Sequence, residues 1–178
     1  MSEHITYRQL TKEDVANLRG IDRSEYIDAI YYYRDGKLVL EPEVYDVRGF
    51  NPQELEKMVE ETEELVERGG IVYGAFADDK LVGASSVECD FIGSAKDTLQ
   101  MPILHISKDC RGRGVGQQLM QLVIDKAREL GAKKLYVSAT PSRNTIHFYQ
   151  RMGCTLATEV DPLLFAKEPE DIHLELTL

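Results

Sequence analysis

Three glycines at alternating positions, in Arg111-Gly112-Arg113-Gly114-Val115-Gly116, stand between a β-type run and an amphipathic helical pattern. Glycine turns tightly and has no Cβ to obstruct a ligand. The free N–H groups of a helix start, with the positive end of the helix dipole, make an anion site. Arg111 and Arg113 add positive charge there, in a chain whose formal net charge is −10. A phosphate or pyrophosphate is the expected guest, and a purely structural turn is the alternative. Two nucleotide motifs are excluded by spacing. A P-loop needs Gly-Lys-Ser/Thr, whereas Gly116 is followed by Gln117. The dinucleotide fingerprint needs Gly-x-Gly-x-x-Gly, a spacing these glycines do not have.

The pattern on either side gives the architecture. Ile5 to Leu10 alternates as a strand, Thr11 and Asp14 then suit a helix start, and Leu10 and Val15 suit the apolar staple across it. Asp35-Gly36 between the β-prone runs Tyr31–Tyr33 and Leu38–Leu40 predicts a hairpin. Pro42 and Gly49 leave the rest of 22–50 as loop. Asn51, Pro52 and Glu54 open a helix that Gly69-Gly70 closes. Strands follow at Ile71–Ala77, Leu81–Cys89 and Leu99–Ile106. A helix runs from the glycines to Gly131, then come a strand at Leu135–Ala139 and a helix from Arg143 to Met152. The last strands are read at Cys154–Val160 and Ile172–Leu176, joined by a loop holding Pro162 and Pro169. Strands and hairpins followed by strand–helix–strand–helix–strand predict an α/β fold with helices on the faces of the sheet.

With 178 residues and no evident linker, the chain is read as one domain, 1–178. Acidic residues outnumber basic ones 31 to 21, which argues against nucleic acid as a partner. Cys89, Cys110 and Cys154 are odd in number and scattered, so neither a disulfide framework nor a zinc site is expected. No signal peptide and no apolar run of membrane length is visible, so the expected setting is cytoplasmic, away from any membrane.

The glycine segment resembles the acyl-CoA loop of the GNAT superfamily of N-acyltransferases, Arg/Gln-x-x-Gly-x-Gly/Ala after a Leu-x-Val-x-Pro strand. Arg111 to Gly116 matches every fixed position and Leu104-His105-Ile106 matches the strand, with Lys108 where proline is frequent. A second match is Asn144, then Phe148-Tyr149, then Gly153, with Cys154 replacing the usual aromatic. The resemblance implies a mixed, mostly antiparallel twisted sheet with helices on both faces. It implies an acyl-CoA-binding region at about 99–154 and an acceptor side at about 11–70. Backbone N–H groups from Arg111, Gly112, Arg113, Gly114, Val115 and Gly116 would hold the pyrophosphate of coenzyme A. Leu104, His105 and Ile106 would lie along the pantetheine arm, and Asn144 beside the cosubstrate.

The implied reaction is transfer of an acetyl group from acetyl-CoA to a primary amine by direct attack, with no metal. A phenol stays protonated at neutral pH and can donate to a departing thiolate, a task the resemblance gives to Tyr149. Glu88 is the first candidate for the base, with Asp90, Glu25 and His105 as rivals. His147 is read as a helix-surface residue, and Cys110 as incidental despite its arginine neighbours. In the stretch 22–50, Tyr26, Tyr31, Tyr32, Tyr33 and Tyr45 stand among carboxylates, a composition that suits a cationic amine. The expected partner is a small amine, such as a polyamine-like cationic metabolite, an amino acid, or an amino-sugar or antibiotic. A protein or peptide amine, and a non-catalytic acyl-CoA sensor, are the alternatives; a homodimer is left open.

Overall fold

A computed structural model describes residues 4–178. Strand β1 (Ile5–Gln9) leads into a 3-10 helix (Lys12–Gly20), then β2 (Glu25–Arg34), β3 (Lys37–Val47) and helix α1 (Pro52–Glu67). Next come β4 (Ile71–Ala77), β5 (Lys80–Val87), β6 (Thr98–Gln100), β7 (Leu104–Ile106) and α2 (Val115–Glu129). The chain ends with β8 (Lys134–Ala139), α3 (Arg143–Arg151), β9 (Thr155–Leu156), α4 (Pro162–Lys167) and β10 (Ile172–Thr177). One sheet has the order β1-β4-β5-β7, a second the order β6-β8-β10-β9, and β2 with β3 form a separate ribbon. Among the described residues only β6 and β8 pair in parallel; the other strand pairings are antiparallel.

The run expected as one strand over 99–106 is two strands, and the break between them shapes the molecule. Glu88 N–H donates to Gln100 (2.9 Å), but Ser86 N–H donates to Ile103 (3.1 Å). Two residues along β5 therefore correspond to three on its partner, which is a β-bulge at Met101–Ile103. Pro102, which has no N–H to give a ladder, sits inside it. Before the bulge the strand pairs with β8; after it the strand stays with β5 and leaves β8 behind. Met101 N–H still donates to Tyr136 of β8 (3.0 Å), and the two sheets part after it.

Helix α2 bridges them on one side. Its Val115 and Leu119 pack on the first sheet with Leu104 and Ile106, while Met120, Val123, Ile124 and Ala127 join the core of the second with Ile146 and Tyr149 of α3. Helix α1 and the 3-10 helix cover the opposite face of the first sheet through Val15, Leu18, Met58, Val59 and Leu65. Leu10 and Val15 are both buried there, as the staple requires. Asn51 and Glu54 close the capping box of α1 reciprocally.

The region 22–50 is corrected most. Its strands are far longer than the apolar runs suggested, because β3 continues through Pro42. That proline pairs with Ala29 beside a bulge in a two-stranded ribbon, where no third strand needs its missing N–H. Asp35 and Gly36 form the hairpin turn, with φ of 51° and 79°. Near the C-terminus, only Thr155 and Leu156 of the expected strand 154–160 pair. Asp161 accepts the N–H groups of Leu163 and Leu164 (both 3.0 Å), so the expected loop contains α4. Among the described residues, no helix is long and apolar enough to cross a membrane.

Gly83 of β5 sets how closely α2 approaches. A Cβ there would lie 3.0 Å from Leu119 Cδ1 and 3.2 Å from the carbonyl oxygen of His105. Gly83→Val should therefore destabilise the fold by about 1–3 kcal/mol through overpacking, read as a lower urea midpoint at unchanged slope. An unchanged midpoint would show that α2 does not need this close contact.

Candidate active site

The glycine segment forms the turn into α2. Gly112 and Gly114 have φ of 74° and 81°, and a Cβ on either would meet nothing within 4 Å. What requires glycine is thus the left-handed backbone, and the open side is room for a ligand. The N–H groups of the first turn of α2 have no carbonyl partner within the helix. Gly116 lies against α3, since its Cβ would sit 3.5 Å from the Phe148 ring.

Arg111 turns its side chain elsewhere. Its guanidinium donates to three carbonyls, those of Ile106 (3.1 Å), Ser24 (2.7 Å) and Asp22 (3.3 Å). Lys108 N–H also donates to the Asp22 carbonyl (2.9 Å), and Ser107 Oγ accepts from Asp22 N–H (2.9 Å). The loop before β2 is thereby stitched to the end of β7.

The register of β7 orients its peptide groups. Ser107 N–H donates to Val82 (2.7 Å) and Ser86 N–H to Ile103, so the hydrogen-bonded positions facing β5 are 103, 105 and 107. The N–H and C=O groups of Leu104 and Ile106 point the other way, into the gap that opens towards β8. Their side chains face α2, and that of His105 faces α1.

On that α1 side lies a cavity of about 720 Å³, lined by Arg23, Phe50, Glu88, His105, Ser138 and Asp171 among others. Glu88 reaches it from just past β5, with both oxygens held by the guanidinium of Arg68. Asp171, which sequence reasoning passed over, enters from the start of β10 and accepts from Ser138 Oγ (3.0 Å). Burial raises the Asp171 pKa above the ordinary carboxylate value. The signal for it lay only in the fold, because nothing local marks an acid in the loop after α4. Asp90 is exposed, and Glu25 lies half-buried at the start of β2.

Tyr149 is 6% exposed, and among the described residues its hydroxyl has no hydrogen-bond partner. Burial pushes its pKa far up, Cys154 and Asp171 add to this, and Arg23 opposes them. The phenol therefore holds its proton throughout the neutral range. Asn144, by contrast, is exposed near the start of α3, and the buried cap of that helix is Ser142, which accepts from Thr145 N–H (3.4 Å). His147 is not merely a surface residue: its Nε2 lies 2.7 Å from the Tyr31 hydroxyl, fastening β2 to α3.

Tyr31, Tyr32, Tyr33 and Tyr45 of the ribbon, but not Tyr26, line a second cavity of about 750 Å³, between β2, α4 and β10, and Asp171 lines it too. Tyr31 is spent on His147 and Tyr32 donates to Glu43, while Tyr33 is 61% exposed.

The cysteines take no visible part. Cys110 and Cys154 are buried, and burial pushes the Cys154 thiol up to about 12. Alkylation of the native protein at pH 8 should label half-buried Cys89 first, and peptide mass analysis gives the order. Faster labelling of Cys110 would reopen thiol chemistry beside the glycine loop.

The profile of the Acetyltransferase (GNAT) family matches residues 40–154. No curated protein matches the chain. Among solved structures, a nourseothricin acetyltransferase is 23% identical, with 97% of this chain and 98% of that one covered and a TM-score of 0.73. The PaiA N-acetyltransferase of Thermoplasma acidophilum, in complex with coenzyme A, is 16% identical, covers 100% of both chains and has a TM-score of 0.63. The N-acetylglutamate synthase of Neisseria gonorrhoeae, complexed with coenzyme A and N-acetyl-glutamate, is 16% identical at a TM-score of 0.61; all of this chain aligns with 36% of that one. With the family profile spanning well over half of its residues, this chain belongs to the GNAT acetyltransferases and is an acyl-CoA N-acyltransferase.

Proposed function

We propose that the chain moves the acetyl group of acetyl-CoA to the primary amine of a small molecule held in the cavity beside α1. The observation that carries this is the parting of β7 from β8. The gap it leaves is flanked by the glycine loop and α2 on one face and by the acceptor cavity on the other, with Tyr149 buried beside it. In this reading the N–H groups from Gly112 to Gly116 hold the pyrophosphate, that of Arg111 being donated to the Lys108 carbonyl (3.3 Å), with Arg113 at the rim. The outward peptide groups of Leu104 and Ile106 take the pantetheine arm as an added strand would be taken, and Asn144 lies on the nearby rim. When bound, acetyl-CoA supplies an activated thioester. Tyr149 keeps a proton at its hydroxyl for the leaving sulfur.

The amine must be neutral to attack. Glu88 and Asp171 are the two carboxylates proposed for its proton, one from each wall. Glu88 is engaged by Arg68, whereas Asp171 carries one neutral hydrogen bond and no cation. Asp171 is therefore the stronger proton acceptor, while Glu88 stays paired with Arg68 on the opposite wall. A cavity of about 720 Å³ falls within the size range of small-molecule sites, which favours a small acceptor over a folded protein. Nourseothricin acetyltransferase, by its name, also acts on a small molecule.

Tyr149→Phe should lower kcat by about 10²-fold or more while leaving coenzyme A affinity nearly unchanged, measured by thiol release and by calorimetry. Equal turnover would remove Tyr149 from the reaction. Burial disfavours the charged form of Asp171, so its basic form accumulates at a higher pH than that of an ordinary aspartate. kcat/KM should accordingly climb as pH rises through that raised value, and Asp171→Asn should lower it and flatten the acidic limb. An intact limb would transfer the role to Glu88.

A further inference from the structure

Two polar groups on the acceptor cavity are left without protein partners, and they stand together. Arg23 lies over the Phe50 ring, 4.3 Å from its centroid, and the same ring meets His105 edge-on at 5.7 Å. Among the described residues the Arg23 guanidinium makes no hydrogen bond or ion pair, although burial and the nearby charge of Arg111 both disfavour its positive form. His105 is 9% exposed, and its Nδ1 is the buried side-chain nitrogen or oxygen that no hydrogen bond satisfies among the described residues. Both residues line the cavity.

Neither orphan is an accident of a loose loop. The residues flanking Arg23 are fixed, because Arg111 binds the carbonyls of both Asp22 and Ser24. His105 lies in the middle of β7, in register with Ala84. Burial first, and the Arg23 charge second, hold His105 well below the ordinary imidazole value, so the ring is neutral. A neutral ring can present an N–H at Nδ1 beside the guanidinium fork. Two N–H donors of the guanidinium fork and one of the ring, with a single positive charge, match one carboxylate, which a guanidinium grips through both oxygens. A dianionic phosphate fits less well, since carboxylates outnumber cations on the lining: Glu54, Glu61, Glu64, Glu88, Glu168 and Asp171 against Arg23, Lys57, Arg68 and Lys167.

We propose that the acceptor bears a carboxylate as well as its amine, seated on Arg23 and His105, and is therefore of the amino-acid class. The proposal rests on the reading that this cavity is the acceptor site. The amine lies towards Asp171 and Glu88 and the carboxylate towards Arg23, so the cavity sorts the two charges of a zwitterion.

The test uses the protein saturated with coenzyme A. The probes are N-acetylglycine, N-acetyl-β-alanine and N-acetyl-γ-aminobutyrate, each against its own carboxamide, with binding measured by calorimetry. At least one acid should bind about tenfold tighter than its amide, a preference that Arg23→Met reduces to about threefold or less and Arg23→Lys partly restores. Unchanged coenzyme A affinity in both variants controls for folding. The absence of an acid–amide preference in every pair, or its survival in Arg23→Met, overturns the proposal. Thiol release with the parent amino acids and with amines lacking a carboxylate separates the two readings. If amines with and without a carboxylate turn over equally, and Arg23→Met slows both alike, the acetyltransferase reading stands and the carboxylate seat falls. If acids bind through Arg23 but no amine is acetylated, the seat stands and the reading of the reaction falls.

Discussion

The one extra residue between Gln100 and Ile103 is the constraint on which the rest depends. A β-sheet closes its ladder wherever neighbouring strands keep register, and unpaired N–H and C=O groups inside a protein are costly. The bulge keeps the strand on β5 while turning it off β8, so two sheets form from what would otherwise be one. Leu104 and Ile106 are left with outward peptide groups, and α2 must reach across the wedge to give both sheets a common core. Gly83 allows that reach, and Ser85 Oγ anchors it by donating to the Leu119 carbonyl (3.0 Å).

Much of the fold was legible because its signals are local. The Asn51–Glu54 box, the Asp35-Gly36 turn and the glycines before α2 each express a backbone preference within a few residues of sequence. The long ribbon was not legible, because β2 and β3 owe their length to pairing with each other and to the docking of Tyr31 on His147. Nor was α4, where a single aspartate cap organises one short turn.

The site divides along the same line. The cosubstrate half is a contiguous motif, and its residues lie side by side in the structure as they do in the chain. The proposed acceptor half is lined by Arg23, Phe50, His105 and Asp171, separated by scores of positions in the chain and brought together only by the fold. Of these only His105 stands out in its local sequence, as part of the strand before the glycine loop. Asn144 illustrates the reverse: a residue that matches a pattern in sequence yet lies exposed, while buried Ser142 caps the helix.

Arg111 gives the two halves a mechanical connection. Its backbone belongs to the glycine loop, and its guanidinium grips the carbonyls on both sides of Arg23. Any shift of the loop that moves Arg111 carries the floor of the acceptor cavity with it. Thermodynamic reciprocity then requires that if occupancy of one half tightens the other, the converse holds by the same factor. In the proposed reading, a single side chain thus ties the loop that holds the cosubstrate to the wall that holds the acceptor.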